Sequence, residues 1–298
     1  ATLVAMGDYH VHLHPHGPYV GVGPPPGHYP IDHIEAYVEA AAARGATEIA
    51  VTEHLYRCIE SKDVLWAWWA NDPRTDLAAA TSAYVRSDRV LSLEGYVQAV
   101  VDAKDRGLPV LLGLEVDYFP EVADEIAAFL APFPFDVLIA STHWIGAWGV
   151  DLAEQRFEFD NRGARAAYED YFAIETRLAA SGLFDVLAHA DVVKKQGVVL
   201  DTTPVDLYEE LAVAAARGGT AVEVSTAGLH QPAGEMYPAP ELLRRFHNHA
   251  VPITLASDAH YPQDCGRDRD RAIELARSVG YTERIAFRRR VGRLVPLD

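Results

Sequence analysis

The sequence predicts an α/β fold in which parallel strands alternate with helices and close into a barrel. Three observations carry that expectation. Short apolar runs recur along the chain, amphipathic stretches of helical length lie between them, and each run ends on residues able to bind metal or move protons. Strands buried on both faces by helices read as continuous apolar runs, so this alternation indicates parallel βα units. A chain of 298 residues, 49% of them hydrophobic, suits one barrel, and residues 1–298 are expected as a single domain.

Taken in order, "LVAMGDYHVH" ends on His10 and His12, "EIAVTEH" on Glu53 and His54, and "PVLLGLEVDY" on Glu115 and Asp117. "FDVLIASTHW" delivers His143 and "FDVLAHAD" delivers His189 and Asp191. "TAVEVSTAG" delivers Glu223 and Ser225, and "PITLASDAH" delivers Asp258 and His260. Between the first two runs, "IDHIEAYVEAAAARG" sets Ile34, Tyr37, Val38 and Ala41 on one stripe and stops at Gly45. "LEGYVQAVVDAKDRG" and "TTPVDLYEELAVAAARGG" repeat that pattern. Residues 58–92, with "VLWAWWANDP", form a Trp-rich insertion, either a lid or, on the plainer reading, a segment packed against neighbouring helices.

A parallel barrel gathers the C-terminal ends of its strands onto one rim, so the scattered polar ends converge on one pocket. Imidazoles and carboxylates together suit zinc, iron or manganese, whereas an all-oxygen set favours magnesium or calcium. Paired ions roughly 3.5–4 Å apart can activate water and neutralise a phosphoryl group. No G-x-S-x-G occurs, which argues against a serine nucleophile on a tight turn. The three prolines of "GVGPPPG" remove donors that a phosphate cradle would use.

Forty-three acidic residues against 26 basic give a net charge of -17, which disfavours long nucleic acid and anionic membrane as partners. Two cysteines exclude a disulfide framework or a cysteine-rich zinc site. With no leader-like segment and no uninterrupted apolar span, a soluble cytoplasmic protein is expected.

The stretches "DYHVHLH", "VTEH", "GLEVDYFP", "STHW", "AHADVVKK", "STAGLHQPAGEMYP" and "SDAHYPQDCG" follow one another over residues 8–266. In these the chain resembles the polymerase and histidinol phosphatase (PHP) superfamily, most closely its histidinol-phosphatase branch. The resemblance implies a distorted seven-stranded (β/α)7 barrel with a trinuclear site for divalent zinc, iron or manganese. It assigns His10, His12, Glu115 and Asp258 to a first ion, with Glu115 bridging to a second held by His143 and His189. His54 and His260 serve a third, with one more histidine from the first loop, which offers His14, His16, His28 and His33. His28 is the expected ligand because it stands just before the first helix. Three positions depart from the pattern: Glu53 replaces the commoner aspartate, Ala188 a glycine, and Ser225 an asparagine.

Catalytic roles are thus expected for Glu115, Asp258, His260 and Arg57. A phosphate dianion suits arginine, and Arg57 follows a strand end directly, so Arg57 is the first candidate for substrate binding. Lys194, Lys195 and Arg267 also follow rim motifs. Asp117 and Glu235 are candidates to receive an ammonium group or to orient ligand histidines. The leading function is a phosphomonoesterase acting on a small metabolite, most like L-histidinol phosphate of histidine biosynthesis. A phosphodiesterase or nuclease is the alternative, and a non-catalytic metal-binding module the third reading.

Overall fold

The computed structural model describes residues 7–14, 16, 19, 21 and 23–297. Seven parallel strands form one sheet in sequence order: β1 (Gly7–Val11), β2 (Glu48–Val51), β3 (Val110–Asp117), β4 (Val137–Ser141), β5 (Val186–Leu187), β6 (Ala221–Ser225) and β7 (Ile253–Ala256). His12 N donates to Ala259 O at 2.7 Å just beyond β7, so the sheet curls nearly into a closed barrel. The register of β1 against β2 shifts between Asp8 and Val11, the irregularity that lets a short first strand follow the curvature. This is the parallel barrel that the apolar runs predict.

Helices cover the outside: α1 (Ile31–Ala42), α2 (Thr75–Asp88), α3 (Leu93–Asp105), α4 (Ala123–Leu130), α5 (Glu158–Arg162), α6 (Ala164–Ser181), α7 (Val205–Gly218), α8 (Pro240–Asn248) and α9 (Arg269–Val279). Ile34, Tyr37 and Ala41 are the buried face of α1, as their spacing predicts, while Val38 is only partly buried. Gly219 closes α7 in the left-handed region, at φ 68, where a side chain would be strained. Gly113 in β3 has a packing role instead, since a Cβ there would lie 2.7 Å from Thr52 Cγ2 and 2.8 Å from Val51 O.

Two apolar layers result. One lies between strands and helices; the other fills the barrel floor with Tyr9, Ala50, Leu111, Val137, Ile139 and Val186. The floor is plugged by Phe287 of a hairpin that no apolar-run reading anticipates, β8 (Glu283–Arg288) and β9 (Val291–Pro296). Tyr9 Oη accepts Phe287 N at 3.2 Å and donates to Glu48 at 2.9 Å, and Arg290 pairs with Asp185 at 3.0 Å, which anchors the plug. With the bottom sealed, the polar strand ends face the opposite, open end.

The insertion packs rather than hangs free. Trp68 is buried against Phe119 and Trp144, with ring centroids 4.6 and 5.1 Å away. Its helix α2 carries Tyr84, Ser87 and Asp88 to the edge of the main cavity. No helix among the described residues is long and apolar enough to cross a membrane.

Candidate active site

The C-terminal rim opens into a cavity of about 520 Å³ lined in part by His16, His54, Glu115, His143, His189, Asp258 and His260. Glu115, in the middle of the sheet on β3, is its centre. Its Oε2 lies 3.1 Å from His10 Nε2, 3.4 Å from His12 Nε2 and 3.0 Å from His54 Nδ1. Its Oε1 lies 3.1 Å from His189 Nε2 and 3.5 Å from His143 Nε2. One carboxylate therefore touches five imidazoles, with each oxygen serving a different group. Asp258 Oδ1 completes the first group at 3.5 Å from His10 and 3.3 Å from His12. A third group gathers His12, His16, His54 and His260, with His16 Nε2 and His260 Nε2 3.0 Å apart.

The backbone is bent to reach this arrangement. His189 and Asp258 adopt φ values of 28° and 52°, unfavourable for side-chain-bearing residues and found where surroundings over-determine them. Glu223 holds the first of these, since its Oε1 accepts His189 N at 2.7 Å while Oε2 backs His10 Nδ1 at 3.0 Å. Asp117 backs His143 in the same way, at 2.9 Å from Nδ1. Carboxylates behind the far ring nitrogens fix tautomer and orientation, the usual outer support of a metal-binding histidine.

Electrostatics fit divalent metal. Burial and neighbouring imidazoles hold His16 well below the ordinary histidine range; burial likewise lowers His54 and His260 against the pull of nearby carboxylates. These rings are neutral at neutral pH, with lone pairs free for a cation. At His10, His12 and His143 burial is outweighed by neighbouring carboxylates, which raise the ring above the ordinary histidine range, so there a cation would take a proton's place. Burial alone raises the carboxyls of Glu115 and Asp258, but the adjacent imidazoles outweigh it and hold both well below the usual range. Imidazole nitrogens converging on nitrogens and carboxylates at this spacing have no better partner than a cation. Among the described residues three mixed groups of His and carboxylate donors and one all-histidine group each fall within 4.8 Å.

Several expectations are corrected. His28 is exposed in the loop, and its N–H bonds Pro25 O at 3.0 Å. His16 stands in the cluster instead. The cause is Glu53: its Oε1 accepts the N–H groups of Leu13 and His14 at 2.8 and 3.1 Å, which turns the chain back over the site. His14 then packs on Tyr29 at 4.6 Å, and His33 Nε2 bonds Leu13 O at 2.7 Å.

Arg57 does not face the cavity. It is buried, its Nη1 donating to Glu53 and His14 O at 3.1 and 3.2 Å and its Nε 3.3 Å from Asp88. The turn Leu55–Arg57 after the strand end rolls it under the loop. Lys194 is buried too, paired to Asp191 at 2.9 Å and Glu235 at 2.6 Å, and neither Lys194 nor Glu235 lines the cavity. Arg267 pairs with Asp264 at 2.8 Å beside the site rather than in it. Asp117 is taken up by His143 and Tyr56 N.

Lys195 is the single Lys or Arg among the described cavity-lining residues, bridged to Asp151 at 2.8 Å. Burial depresses its ammonium, but Asp151 outweighs this and keeps it charged well past neutral pH. Sequence reasoning put it on the rim beside Lys194 without preferring it; the turn Val192–Lys194 decides which of the two looks inward. Tyr19 and Asp151 carried no signal at all. Tyr19 lies over His260, ring centroids 3.8 Å apart, and Gln231 Nε2 donates to its hydroxyl at 3.2 Å.

Comparison with known proteins agrees with this geometry. A protein of Deinococcus radiodurans named probable histidinol-phosphatase is 39% identical over 194 residues, 65% of this chain and 74% of that one. Histidinol-phosphatase of Bacillus subtilis is 28% identical over 259 residues, 79% and 90% of the two chains. Histidinol phosphate phosphatase of Lactococcus lactis, solved with zinc, L-histidinol and phosphate, shares the fold with a TM-score of 0.70 at 22% identity, covering 97% of this chain and 98% of that one. The profile of the PHP domain matches residues 27–227, across the strands that carry His54, Glu115, His143, His189 and Glu223. With that match and the Deinococcus relative, the chain belongs to the PHP domain family.

Proposed function

We propose that the chain is a metal-dependent phosphoric monoester hydrolase that releases phosphate from L-histidinol phosphate. The observation that carries this reading is Glu115, one carboxylate between two groups of imidazoles, the arrangement that holds paired cations. His10, His12, Glu115 and Asp258 would hold a first ion; Glu115, His143 and His189 a second; His16, His54 and His260 a third. Zinc, iron and manganese all suit this donor set. Such ions supply Lewis-acid polarisation of the phosphoryl group and a water ionised near neutral pH.

The chain's own groups do the rest. Lys195 offers its ammonium to phosphate oxygens from the cavity wall, and Asp151 fixes its direction. Glu223 and Asp117 keep His10 and His143 aimed inward. Tyr19 and Trp144 shield the site from bulk water and give a planar, aromatic substrate body something to lie against. The cavity's volume suits a small metabolite and the relatives' names support histidinol phosphate in particular.

The test is phosphate release by metal-loaded protein over a panel of metabolite monoesters, with bis(p-nitrophenyl) phosphate as the diester control. Histidinol phosphate should be the preferred substrate. Faster cleavage of the diester, or no release with any monoester, overturns the assignment.

A further inference from the structure

We propose that Asp88, at the end of the insertion helix α2, is a positioning residue for His16 and thereby for the third ion; this rests on the trinuclear reading above. His16 comes from a loop, so no strand fixes its ring. Its Nε2 faces His260 in the cluster, and its buried Nδ1 has no hydrogen-bond partner among the described residues. Asp88 Oδ2 lies on that far side, 3.6 Å from Nδ1. The same oxygen accepts Tyr56 Oη at 2.5 Å and stands 3.3 Å from Arg57 Nε, which pins the carboxylate in place.

The arrangement repeats what supports two other histidines. Glu223 stands behind His10 and Asp117 behind His143, each carboxylate on the ring nitrogen that faces away from Glu115. At 3.6 Å the His16 contact is longer than a hydrogen bond, and a shift of roughly 0.5 Å brings it within range. The Nδ1 proton then bonds Asp88, and Nε2 keeps its lone pair for the cation. The insertion thus has a use beyond packing. It completes a metal site whose loop ligand the barrel strands do not orient.

Zinc titration of metal-stripped protein against a chromophoric chelator tests this. The parent should take up three ions. Asp88→Asn should weaken the most loosely held ion about 10–100-fold and leave the other two unchanged. Tyr56→Phe removes one of the two contacts that pin the same oxygen but keeps the carboxylate and its Arg57 contact, so third-ion affinity should fall by less than in Asp88→Asn. An equal loss there would assign the effect to packing of α2 and overturn the proposal. Unchanged third-ion affinity in Asp88→Asn, or equal weakening of all ions, also overturns it. A parent that binds two ions and still releases phosphate refutes the role of Asp88 but leaves the hydrolase standing, whereas three ions without phosphate release refute the hydrolase alone. A readout independent of the variants' folding is the His16 Nδ1 proton of the zinc-loaded parent, assigned by its loss in His16→Gln. A slowly exchanging, hydrogen-bonded imidazole proton is expected in nitrogen-15 NMR, and its absence overturns the proposal.

Discussion

The main-chain N–H of His189 donates to Glu223 Oε1 at 2.7 Å, so one strand's side chain fixes the backbone at the next strand's end. The bond holds His189 at φ 28 and leaves Oε2 to face His10 Nδ1. Glu223 therefore controls two ligand candidates without reaching the cavity itself. Glu223→Gln keeps an acceptor for His189 but can turn an amide N–H toward His10. That favours the His10 tautomer with its proton on Nε2, the nitrogen the metal needs. Metal affinity should fall about 10–100-fold, measured by calorimetric titration, with little change in melting temperature. Parent-like affinity would leave Glu223 as a backbone brace only.

Glu115→Gln should cost at least one ion per chain, because an amide offers one oxygen where the carboxylate offers two. Plasma mass spectrometry of the purified variant reads this directly. Full metal content with parent-like turnover would remove Glu115 from its bridging role.

Lys195 and its neighbours separate binding from support. Lys195→Ala should raise KM for the phosphate substrate about tenfold or more, in keeping with ~1.5–3 kcal/mol for a charged hydrogen bond. Lys194→Ala, whose ammonium is locked between Asp191 and Glu235, should lower melting temperature without changing KM. Arg57→Ala should cost about 3–5 kcal/mol of stability, since it strips the partner from buried Glu53. A KM effect from Lys194 equal to that from Lys195 would show that the turn between them opens in solution.

The barrel was legible because its strands are buried on both faces, and β3, buried throughout, reads as an apolar run with two carboxylates near its end. Its candidate rim ligands were legible for the same reason, since strand ends have fixed addresses. Arg57, Lys194 and His28 misled because each lies in a turn or loop, where a small rotation exchanges cavity for interior, as at Arg57 and Lys194, or for solvent, as at His28. The choice of Lys195 over Lys194 rests on a three-residue turn, and the choice of His16 over His28 on backbone hydrogen bonds to Glu53, 37 positions further along the chain than His16. The floor hairpin was missed because its strands are exposed or half-buried over most of their length, form no apolar run and join no βα unit.

His16→Ala and His28→Ala should differ. His16→Ala should lower metal stoichiometry by about one ion under simple one-site loss, and His28→Ala should match the parent. His14→Ala should also match in metal content while losing some stability, because its ring packs on Tyr29. Loss of an ion in His28→Ala with His16→Ala normal would mean that the first loop rearranges when metal binds.

Glu175 supplies a pH test away from the cavity. Its carboxyl is buried on α6, where Oε2 accepts Thr142 Oγ1 at 2.6 Å and Oε1 has no hydrogen-bond partner among the described residues. Burial pushes it up to about 8 from an ordinary 4.5. Between those values the folded chain keeps a proton that the unfolded chain releases, so stability must fall as pH rises. The contribution is complete below about 4.5, declines by up to about 1.4 kcal/mol per pH unit, and is fully lost above about 8. Glu175→Gln retains an acceptor for Thr142 and never ionises. Urea denaturation should therefore find the variant close to the parent at pH 5 and more stable than it at pH 8.5. Taking the difference between the two proteins cancels the titration of the cavity histidines other than His143, whose charge acts on Glu175. Parallel stability profiles across that window would mean that Glu175 is ionised in the folded protein throughout.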